Sequence, residues 1–246
     1  MSEPVNTVIE ITDLHKSFGS NAILKGMDLT IRKGENVVIL GKSGSGKSVL
    51  IKCIIGLIYA DEGNIKVLDK NILELNNEEL NEVRLKMGFL FQNAALYDSM
   101  TVRENLDFHL KRTFKDLSEE DREQAILKAL DDVGLKEAVD KMPSELSGGM
   151  RKRVGLARCL IINPEIMLYD EPTTGLDTVT SREISALILE MQKKNKTTSV
   201  IITHDMACAK MTSDRVVVFK DGVITAEGSY EELEKSKDAW VKSFFN

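Results

Sequence analysis

The stretch Asn36-Val-Val-Ile-Leu40, continuing as Gly41-Lys-Ser-Gly-Ser-Gly-Lys-Ser48, joins an unbroken apolar run directly to a glycine-rich loop. A short apolar run without alternation is typical of a strand buried on both faces. The loop matches G-x-x-x-x-G-K-[ST], which is specific for phosphate binding when a strand precedes it and a helix follows. The following residues predict that helix, whose apolar face would contain Val49, Leu50, Cys53, Ile54 and Leu57.

The residue types in this loop suit a nucleoside triphosphate. Glycines permit a backbone whose successive N–H groups form an anion nest, Lys47 can reach the β and γ phosphates, and the Ser48 hydroxyl can bind Mg²⁺. A helix N-terminus alone contributes only about 0.3–1 kcal/mol per charge, so nest, lysine and metal are needed together. An accidental glycine-rich turn is the alternative. The candidate phosphate-binding residues are Gly41, Lys42, Ser43, Gly44, Ser45, Gly46, Lys47 and Ser48.

Composition favours one large α/β domain and disfavours nucleic acid as a partner. The chain has 246 residues, 42% of them hydrophobic, and a net charge of -6 that gives no bulk attraction for phosphate backbones or anionic lipid. Its three cysteines have no metal-ligand spacing and are expected to pack as reduced, apolar side chains. The N-terminus lacks a signal-peptide pattern, and the longest apolar stretch, residues 53–60, is far shorter than the roughly 18 residues that span a bilayer. Any membrane role would therefore depend on a partner.

Along the chain, the hydrophobic pattern predicts an α/β core with insertions. Residues 8–15 and 22–31 alternate around Gly19-Ser-Asn21 and predict an antiparallel pair. Between about 95 and 155 the spacing of apolar residues predicts helices. Strands are predicted again at 166–169 and 199–203 with a helix between them, an alternation that predicts a parallel sheet. Asp221-Gly222 predicts a type I′ hairpin turn. Further predictions are helix caps at Thr101, Ser118 and Ser229, and packing of Trp240, Phe244 and Phe245 onto the core.

Polar residues at two strand ends complete a candidate catalytic site. The apolar run 166–169 ends in Asp170 and Glu171, which side-chain alternation would send in different directions. Asp170 suits Mg²⁺ binding, and Glu171 suits a general base or water-positioning group. His204 follows the next strand and could donate to the γ-phosphate. The alternatives are a solvated acidic strand end and a structural histidine.

These motifs together resemble the ATP-binding cassette (ABC) ATPases over essentially the whole chain. The motifs occur in that family's order: 41–48, Gln92, Leu146-Ser-Gly-Gly-Met150, Asp170-Glu171, Gly175-Leu-Asp177 and His204. The resemblance implies a phosphate-loop, RecA-like core at 1–94 and 156–246, with an N-terminal antiparallel β-subdomain and an α-helical subdomain at 95–155. It also implies ATP and Mg²⁺ as cofactors, with adenine stacked on Phe18, Gln92 reaching Mg²⁺ and Asp177 crossing a dimer interface.

The resemblance implies that the chain acts as a homodimer. In the family, the residues matching Ser147, Gly148 and Gly149 face the γ-phosphate of ATP bound to the opposite subunit, and a helix N-terminus with close-approach glycines suits an anion. One such motif in this chain then implies two copies. For most of the basic charges that follow, Arg151, Lys152 and Arg153, a solvated helix face is expected.

Met150 narrows the resemblance to one branch. Most of the family has glutamine there, whereas Met150 and the segment 91–102 resemble the ATPases of MCE-associated, maintenance-of-lipid-asymmetry (Mla) phospholipid transporters. That branch implies integral-membrane permease subunits, an MCE-domain lipid-binding protein and a location on the cytoplasmic face of the inner membrane. A small-solute transporter ATPase, for amino acids for example, and a non-transport clamp ATPase are the alternatives. Better-known members of the family have a longer C-terminal tail than one ending at Phe244-Phe-Asn246, so a dimer clasp formed by such a tail is not expected.

Overall fold

The computed structural model describes residues 6–245. Residues 1–5, on which the expected absence of a signal peptide partly depends, and Asn246 lie outside the described residues. Ten strands and nine helices are present in the described part. The strands are β1 (Thr7–Phe18), β2 (Asn21–Arg32), β3 (Asn36–Leu40), β4 (Glu62–Val67), β5 (Lys70–Asn71), β6 (Met87–Leu90), β7 (Ile166–Asp170), β8 (Thr198–Thr203), β9 (Arg215–Lys220) and β10 (Val223–Gly228). The helices are α1 (Lys47–Ile54), α2 (Asn77–Arg84), α3 (Val102–Thr113), α4 (Glu119–Asp132), α5 (Gly148–Leu160), α6 (Thr178–Asn195), α7 (Met206–Thr212), α8 (Tyr230–Glu234) and α9 (Ala239–Lys242).

A six-stranded sheet of order β10-β9-β3-β8-β7-β6 forms the centre of the fold. Its neighbouring strands are parallel except for β10, which is antiparallel to β9. Every residue of β3, β6, β7 and β8 is buried, as expected where both faces of a parallel sheet are covered. The predicted α/β fold with a parallel sheet is confirmed.

Alternate side chains of the central strands enter two different hydrophobic cores. Val38 and Leu40 of β3 join the core that the helices α3 to α6 cover. Val37 and Ile39 join the core that contains α1 and the second sheet. Since successive side chains point to opposite faces of a sheet, one apolar run serves both cores.

The second sheet is antiparallel, with the order β2-β1-β4-β5. β1 pairs with β2 across the turn at Gly19, which confirms the predicted N-terminal antiparallel subdomain. The β9–β10 hairpin has positive φ angles at Asp221 and Gly222, 49° and 92°, as a type I′ turn requires.

The helical segment lies between β6 and β7, and its predicted caps are confirmed. Thr101 and Glu104 form a reciprocal capping box at α3, and the Ser118 hydroxyl accepts from the Asp121 N–H at α4. Ser229 and Glu232 form a similar box at α8. Because α5 continues to Leu160, one helix crosses the boundary expected near residue 155, and the subdomain limits stay a prediction.

One predicted core residue is wrong. Leu57 was expected on the apolar face of α1, but α1 ends at Ile54 and Leu57 is 51% exposed. Gly56 has a φ of 69°, a left-handed conformation that ends a helix and redirects the chain.

Two other expectations about packing are confirmed. Trp240, Phe244 and Phe245 are partly buried against the core that the helical segment covers. The three cysteines are unpaired and buried, and burial raises the pKa of each thiol to about 11. Between residues 6 and 245, no helix is long and apolar enough to cross a membrane.

Candidate functional site

The candidate site lies where three parallel strands end at one edge of the central sheet. β3, β7 and β8 pair in register, with Leu40 opposite Thr203 and Asp170 opposite Ile202. Ligands of open α/β sheets bind outside the carboxyl ends of strands. A cavity of about 550 Å³ lies there, lined by Ile23, Lys42, Ser43, Gly44, Ser45, Gly46, Lys47, Ser48, Val49, Gln92, Glu171, Thr174 and His204.

The glycines of the phosphate loop are required by close approaches and by backbone conformation. Gly46 has a φ of 108°, and a Cβ there would lie 2.8 Å from Cγ2 of Ile23. A Cβ on Gly41 would lie 2.8 Å from the carbonyl oxygen of Phe219. Side chains at these positions would displace the loop, so the sequence preserves a backbone-lined cradle of the kind that holds phosphate.

Lys47 is folded into this cradle. Its Nζ donates to the carbonyl oxygens of Gly41 at 2.7 Å and Lys42 at 3.0 Å, and it lies 4.0 Å from Oε1 of Glu171. Burial lowers the pKa of Lys47, while Glu171 and Asp170 act in the opposite direction. A buried ammonium beside inward-facing loop atoms can bind an anionic phosphate oxygen.

Two of the three predicted metal-binding residues, Ser48 and Gln92, line the same cavity, and the third, Asp170, is hydrogen-bonded to Ser48. Ser48 Oγ donates to Oδ1 of Asp170 at 2.9 Å, and Asp170 is only 6% exposed. Gln92 lines the cavity nearby. A hydroxyl, a carboxylate and an amide oxygen are hard oxygen donors that fit Mg²⁺ accompanied by phosphate oxygens. Within residues 6–245, no cluster of three or more His, Cys, Asp or Glu side chains could hold a metal alone.

Glu171 faces a different set of partners from Asp170. β7 ends at Asp170, and Glu171 adopts a left-handed φ of 51°. Its Oε2 accepts from Nδ1 of His204 at 2.8 Å and from Oγ1 of Thr174 at 3.2 Å. The two carboxylates therefore diverge as predicted, but a turn after the strand separates them rather than strand alternation.

His204 and Thr174 orient the Glu171 carboxylate. The His204 side chain is 63% exposed and follows β8, while Thr174 lies in the turn after Glu171. A carboxylate held by two donors and open to a cavity can orient a water molecule and accept its proton. Sequence reasoning missed Thr174, although the hydroxyl pair Thr173-Thr174 directly after Pro172 was visible.

Six predicted nucleotide-contacting residues lie outside the lining of this cavity: Phe18, Gly41, Ser147, Gly148, Gly149 and Asp177. Phe18 is 51% exposed at the end of β1. Ser147 caps α5 by accepting from the Met150 N–H, and Asp177 caps α6. Hydrogen bonds from Thr180 lower the pKa of Asp177. The nucleotide contacts expected of these residues stay predictions.

The basic run on α5 differs from the expected solvated face at one position. Arg151 is exposed and Arg153 is half-buried, with Nη2 of Arg153 2.9 Å from Oε2 of Glu183. Lys152 is only 5% exposed and is the exception to the solvated face expected for most of these charges. Its Nζ donates to the carbonyl oxygens of Gln92 and Glu171. Three consecutive basic residues in the sequence do not show which of them is buried.

The motifs and this geometry agree with a known protein family. Residues 24–174 match the family model described as ABC transporter. The chain belongs to the ABC transporter family. It is the ATP-binding subunit of such a transporter and an ATPase of this family.

Three relatives are each 39% identical to the cassette. The probable ribonucleotide transport ATP-binding protein mkl of Mycobacterium tuberculosis aligns with 99% of the chain and 67% of its own length. Protein TRIGALACTOSYLDIACYLGLYCEROL 3, chloroplastic, of Arabidopsis thaliana aligns with 97% of the chain and 73% of its own length. The L-cystine import ATP-binding protein TcyN of Bacillus subtilis aligns with 92% and 87%.

Two solved structures have the same fold as the cassette. One is a dimeric ATP-binding cassette in a post-hydrolysis state bound to ADP and Pi, with a TM-score of 0.83, 32% identity, and coverage of 90% of this chain and 98% of the other. The second is cbiO1 of Clostridium perfringens, part of the ABC transporter complex cbiONQ, with a TM-score of 0.85, 30% identity, and coverage of 96% and 94%.

Proposed function

We propose that this cassette hydrolyses Mg·ATP as a homodimer and so drives a separate membrane permease. The observation that carries the chemistry is that Lys47, Ser48, Glu171 and His204 line one cavity, with Asp170 hydrogen-bonded to Ser48 at its edge. Ser48, Asp170 and Gln92 would hold Mg²⁺, which would neutralise phosphate charge when bound. The chain's own residues bind and orient the rest of the reactants.

Glu171 has the central role in this proposal. Its carboxylate orients the attacking water and accepts its proton, while Nδ1 of His204 and Oγ1 of Thr174 hold Oε2 in place. Lys47 binds the β and γ phosphates, and the loop N–H groups bind the remaining oxygens. Phe18 would stack on adenine, supported by its exposed ring at the end of β1.

Replacement of Glu171 tests this chemistry. Glu171→Gln should retain ATP binding, because the phosphate loop is untouched, and lose at least about 100-fold in hydrolysis rate, the usual minimum for a general base. Glu165→Gln is a matched control, since Glu165 is exposed at the opposite end of β7. Near-normal hydrolysis by purified Glu171→Gln would refute the role of this carboxylate.

The dimer proposal rests on the surface position of Ser147 and Gly148, which belong to the segment Leu146-Ser-Gly-Gly-Met150, here called the signature, at the start of the signature helix α5. Ser147 is exposed at the N-terminus of α5, and neither it nor Gly148 lines the cavity of its own chain. A helix N-terminus favours an anion, here the γ-phosphate of a second copy's ATP. Asp177 would lie across the same interface. The similar cassette bound to ADP and Pi is dimeric, which supports this arrangement.

Two substitutions at Ser147 separate the dimer contact from helix capping. Aspartate and asparagine both cap helices well, so neither should unfold α5. Only Ser147→Asp adds a negative charge where the partner's γ-phosphate would lie. In the Glu171→Gln background, ATP-dependent dimerisation measured by size exclusion should be lost in Ser147→Asp and kept in Ser147→Asn. Equal dimerisation of both would overturn the proposed contact.

The proposed cargo is a phospholipid moved between membranes, with an MCE-domain protein in the complex and the cassette on the cytoplasmic face of the inner membrane. Met150 and the segment 91–102 support this proposal, as does a relative named after a glycerolipid, trigalactosyldiacylglycerol. Met150 is partly buried against the core that the helices α3 to α6 cover.

A small-solute transporter is the second candidate. The names of two relatives favour it, one being a ribonucleotide transport protein and the other an L-cystine import protein. Co-purification with the membrane permease, followed by mass spectrometry of bound molecules, separates the candidates. Enriched phospholipid together with an MCE-domain protein supports the first; a bound nucleotide or amino acid other than ATP or ADP supports the second.

A further inference from the structure

Lys152 is a buried cation whose partners are backbone carbonyls rather than carboxylates. It lies on α5, five residues after Ser147, and is 5% exposed. Its Nζ donates to the carbonyl oxygen of Gln92 and, at 3.3 Å, to that of Glu171. Among the described residues, no ion pair forms at Lys152. Burying an ammonium group is costly, so its hydrogen bonds must be well made.

The two carbonyls belong to segments that matter for hydrolysis. Gln92 follows β6 and Glu171 follows β7, which are neighbouring parallel strands. Lys152 joins both strand ends to the helix that begins at Ser147. The burial of Lys152 lowers its pKa to about 8, and attraction by Asp170 and Glu171 acts in the opposite direction.

The backbone of Glu171 needs such support. Its left-handed φ of 51° is unfavourable for a non-glycine residue and persists only where the surroundings enforce it. The Glu171 N–H donates to the carbonyl oxygen of Ile202 at 2.9 Å, and its own carbonyl accepts from the Thr174 N–H at 3.3 Å and from Lys152. The direction of this carbonyl and the direction of the side chain are coupled through one Cα.

We infer that Lys152 is a positioning residue for ATP hydrolysis, which fixes the Glu171 backbone relative to the signature helix α5 and thereby aims the Glu171 carboxylate. The inference rests on the role proposed above for Glu171. It also gives the signature helix a direct mechanical link to the catalytic carboxylate of its own chain. A displacement of α5 would move both carbonyls and so change how the Glu171 carboxylate orients the attacking water.

Arg158 provides a matched comparison within the same helix. It is 6% exposed, and its Nη1 and Nη2 donate to the carbonyl oxygens of Ala95 and Ala94, each at 2.7 Å. Both alanines have left-handed φ angles, 50° and 58°. Arg158 therefore supports a strained backbone much as Lys152 does, but it donates no hydrogen bond to Glu171. A purely structural cation and a positioning cation can be distinguished by comparing the two.

The experiment measures kcat, KM for ATP and the melting temperature of Lys152→Met, Lys152→Arg and Arg158→Met, with Glu171→Gln alongside. Lys152→Met should lose at least about tenfold in kcat with little change in KM, since misplacing a reacting group by about 1 Å can cost 100-fold. Lys152→Arg should recover most of this loss, because a guanidinium can donate to two carbonyls. Arg158→Met should lower the melting temperature while its kcat stays within about threefold of the parent.

Three results would overturn the inference: normal kcat in Lys152→Met, equal kcat losses in Lys152→Met and Arg158→Met, or no recovery in a folded Lys152→Arg. If Lys152→Met does not fold, Lys152→Gln, which keeps a neutral donor, is measured by the same criteria. Hydrolysis by Glu171→Gln would refute the proposed role of Glu171 itself. An inactive Glu171→Gln beside a fully active Lys152→Met would refute only the positioning role.

Discussion

Ser48 Oγ donates a hydrogen bond to Oδ1 of Asp170 at 2.9 Å, joining the phosphate loop to the end of β7 across 122 residues of sequence. The pair holds two hard oxygens in contact at a nearly buried position. Since a hydroxyl and a carboxylate suit Mg²⁺, the position of one fixes the position of the other as a candidate ligand.

Replacement of Ser48 should therefore change the dependence of hydrolysis on Mg²⁺. Ser48→Ala removes one oxygen ligand and should raise the Mg²⁺ concentration for half-maximal hydrolysis at least about tenfold, since loss even of a residue that only supports a metal ligand costs about 10–100-fold in metal affinity. Ser48→Thr keeps the hydroxyl and should resemble the parent. The measurement is ATPase rate against Mg²⁺ concentration. An unchanged Mg²⁺ dependence in Ser48→Ala would contradict the assignment.

The single tryptophan should report nucleotide binding. The Nζ atoms of Lys42 and Lys220 lie 4.5 Å and 4.6 Å from the centroid of the Trp240 ring. Lys42 belongs to the phosphate loop, so bound phosphate should draw its ammonium group away from the ring and weaken this cation–π contact. Titration with ATP should therefore change the fluorescence emission of Trp240 in a saturable way.

Lysine variants identify the origin of that change. Lys42→Met should abolish most of the fluorescence response, whereas Lys220→Met, outside the phosphate loop, should retain it. ATP binding is measured independently by calorimetry. Saturated binding without any change in emission would show that Lys42 stays beside Trp240 when nucleotide binds.

The ionised Glu35 carboxylate should stabilise the fold at neutral pH and lose this effect in the acid range. Burial alone would raise the pKa of Glu35, but hydrogen bonds from Arg215 and the Arg32 N–H, together with their charges, lower it. Nε and Nη2 of Arg215 lie 2.7 Å and 3.1 Å from the two carboxylate oxygens. A lowered pKa stabilises the fold above the unfolded-state pKa, and this stabilisation is lost as the pH falls through the folded-state pKa.

Glu35→Gln should accordingly melt at a lower temperature than the parent near neutral pH. The difference between the two proteins should shrink below about pH 4, where the unfolded carboxyl is itself largely protonated. Thermal melts at several pH values measure this convergence. A constant difference over the whole range would indicate that packing, rather than charge, accounts for the effect.

The sequence predicted those features that depend on local pattern. The apolar run before Gly41, the capping residues Thr101 and Ser118, and the turn at Asp221 each have a chemistry readable within a few residues. The strand ends predicted the edge of the sheet at which the candidate site lies, because parallel strands bring their carboxyl ends to one edge.

What the sequence did not reveal depends on contacts between distant segments. The burial of Lys152 requires the carbonyls of Gln92 and Glu171, which lie 60 and 19 residues away. Three consecutive basic residues on a helix do not indicate which one faces the core. The left-handed turn at Glu171 is also unexpected from residue type, because glutamate has no preference for that conformation.

Asn105 should be the side chain that stabilises the segment 91–102. It is fully buried, its Oδ1 accepts from the Tyr97 N–H at 2.8 Å, and its Nδ2 lies 2.9–3.1 Å from the carbonyl oxygens of Tyr97, Met100 and Thr101. Asn105→Ala removes the side-chain partners of the Tyr97 N–H and the Met100 carbonyl, whereas the carbonyls of Tyr97 and Thr101 keep the N–H donors of Met100 and Asn105. It should lower the free energy of unfolding by about 2–4 kcal/mol, since each unsatisfied buried group costs about 1–3 kcal/mol.

Urea denaturation of Asn105→Ala and Asn93→Ala gives the comparison. Asn93 is exposed in the same segment, and its replacement should change the free energy of unfolding by no more than about 0.5 kcal/mol. Asn105→Asp keeps the acceptor for the Tyr97 N–H but brings a carboxylate near three carbonyl oxygens, so it should be at least as destabilising as alanine. If aspartate were tolerated, the amide donor would not hold the segment, and packing by Leu106 and its neighbours would have to do so.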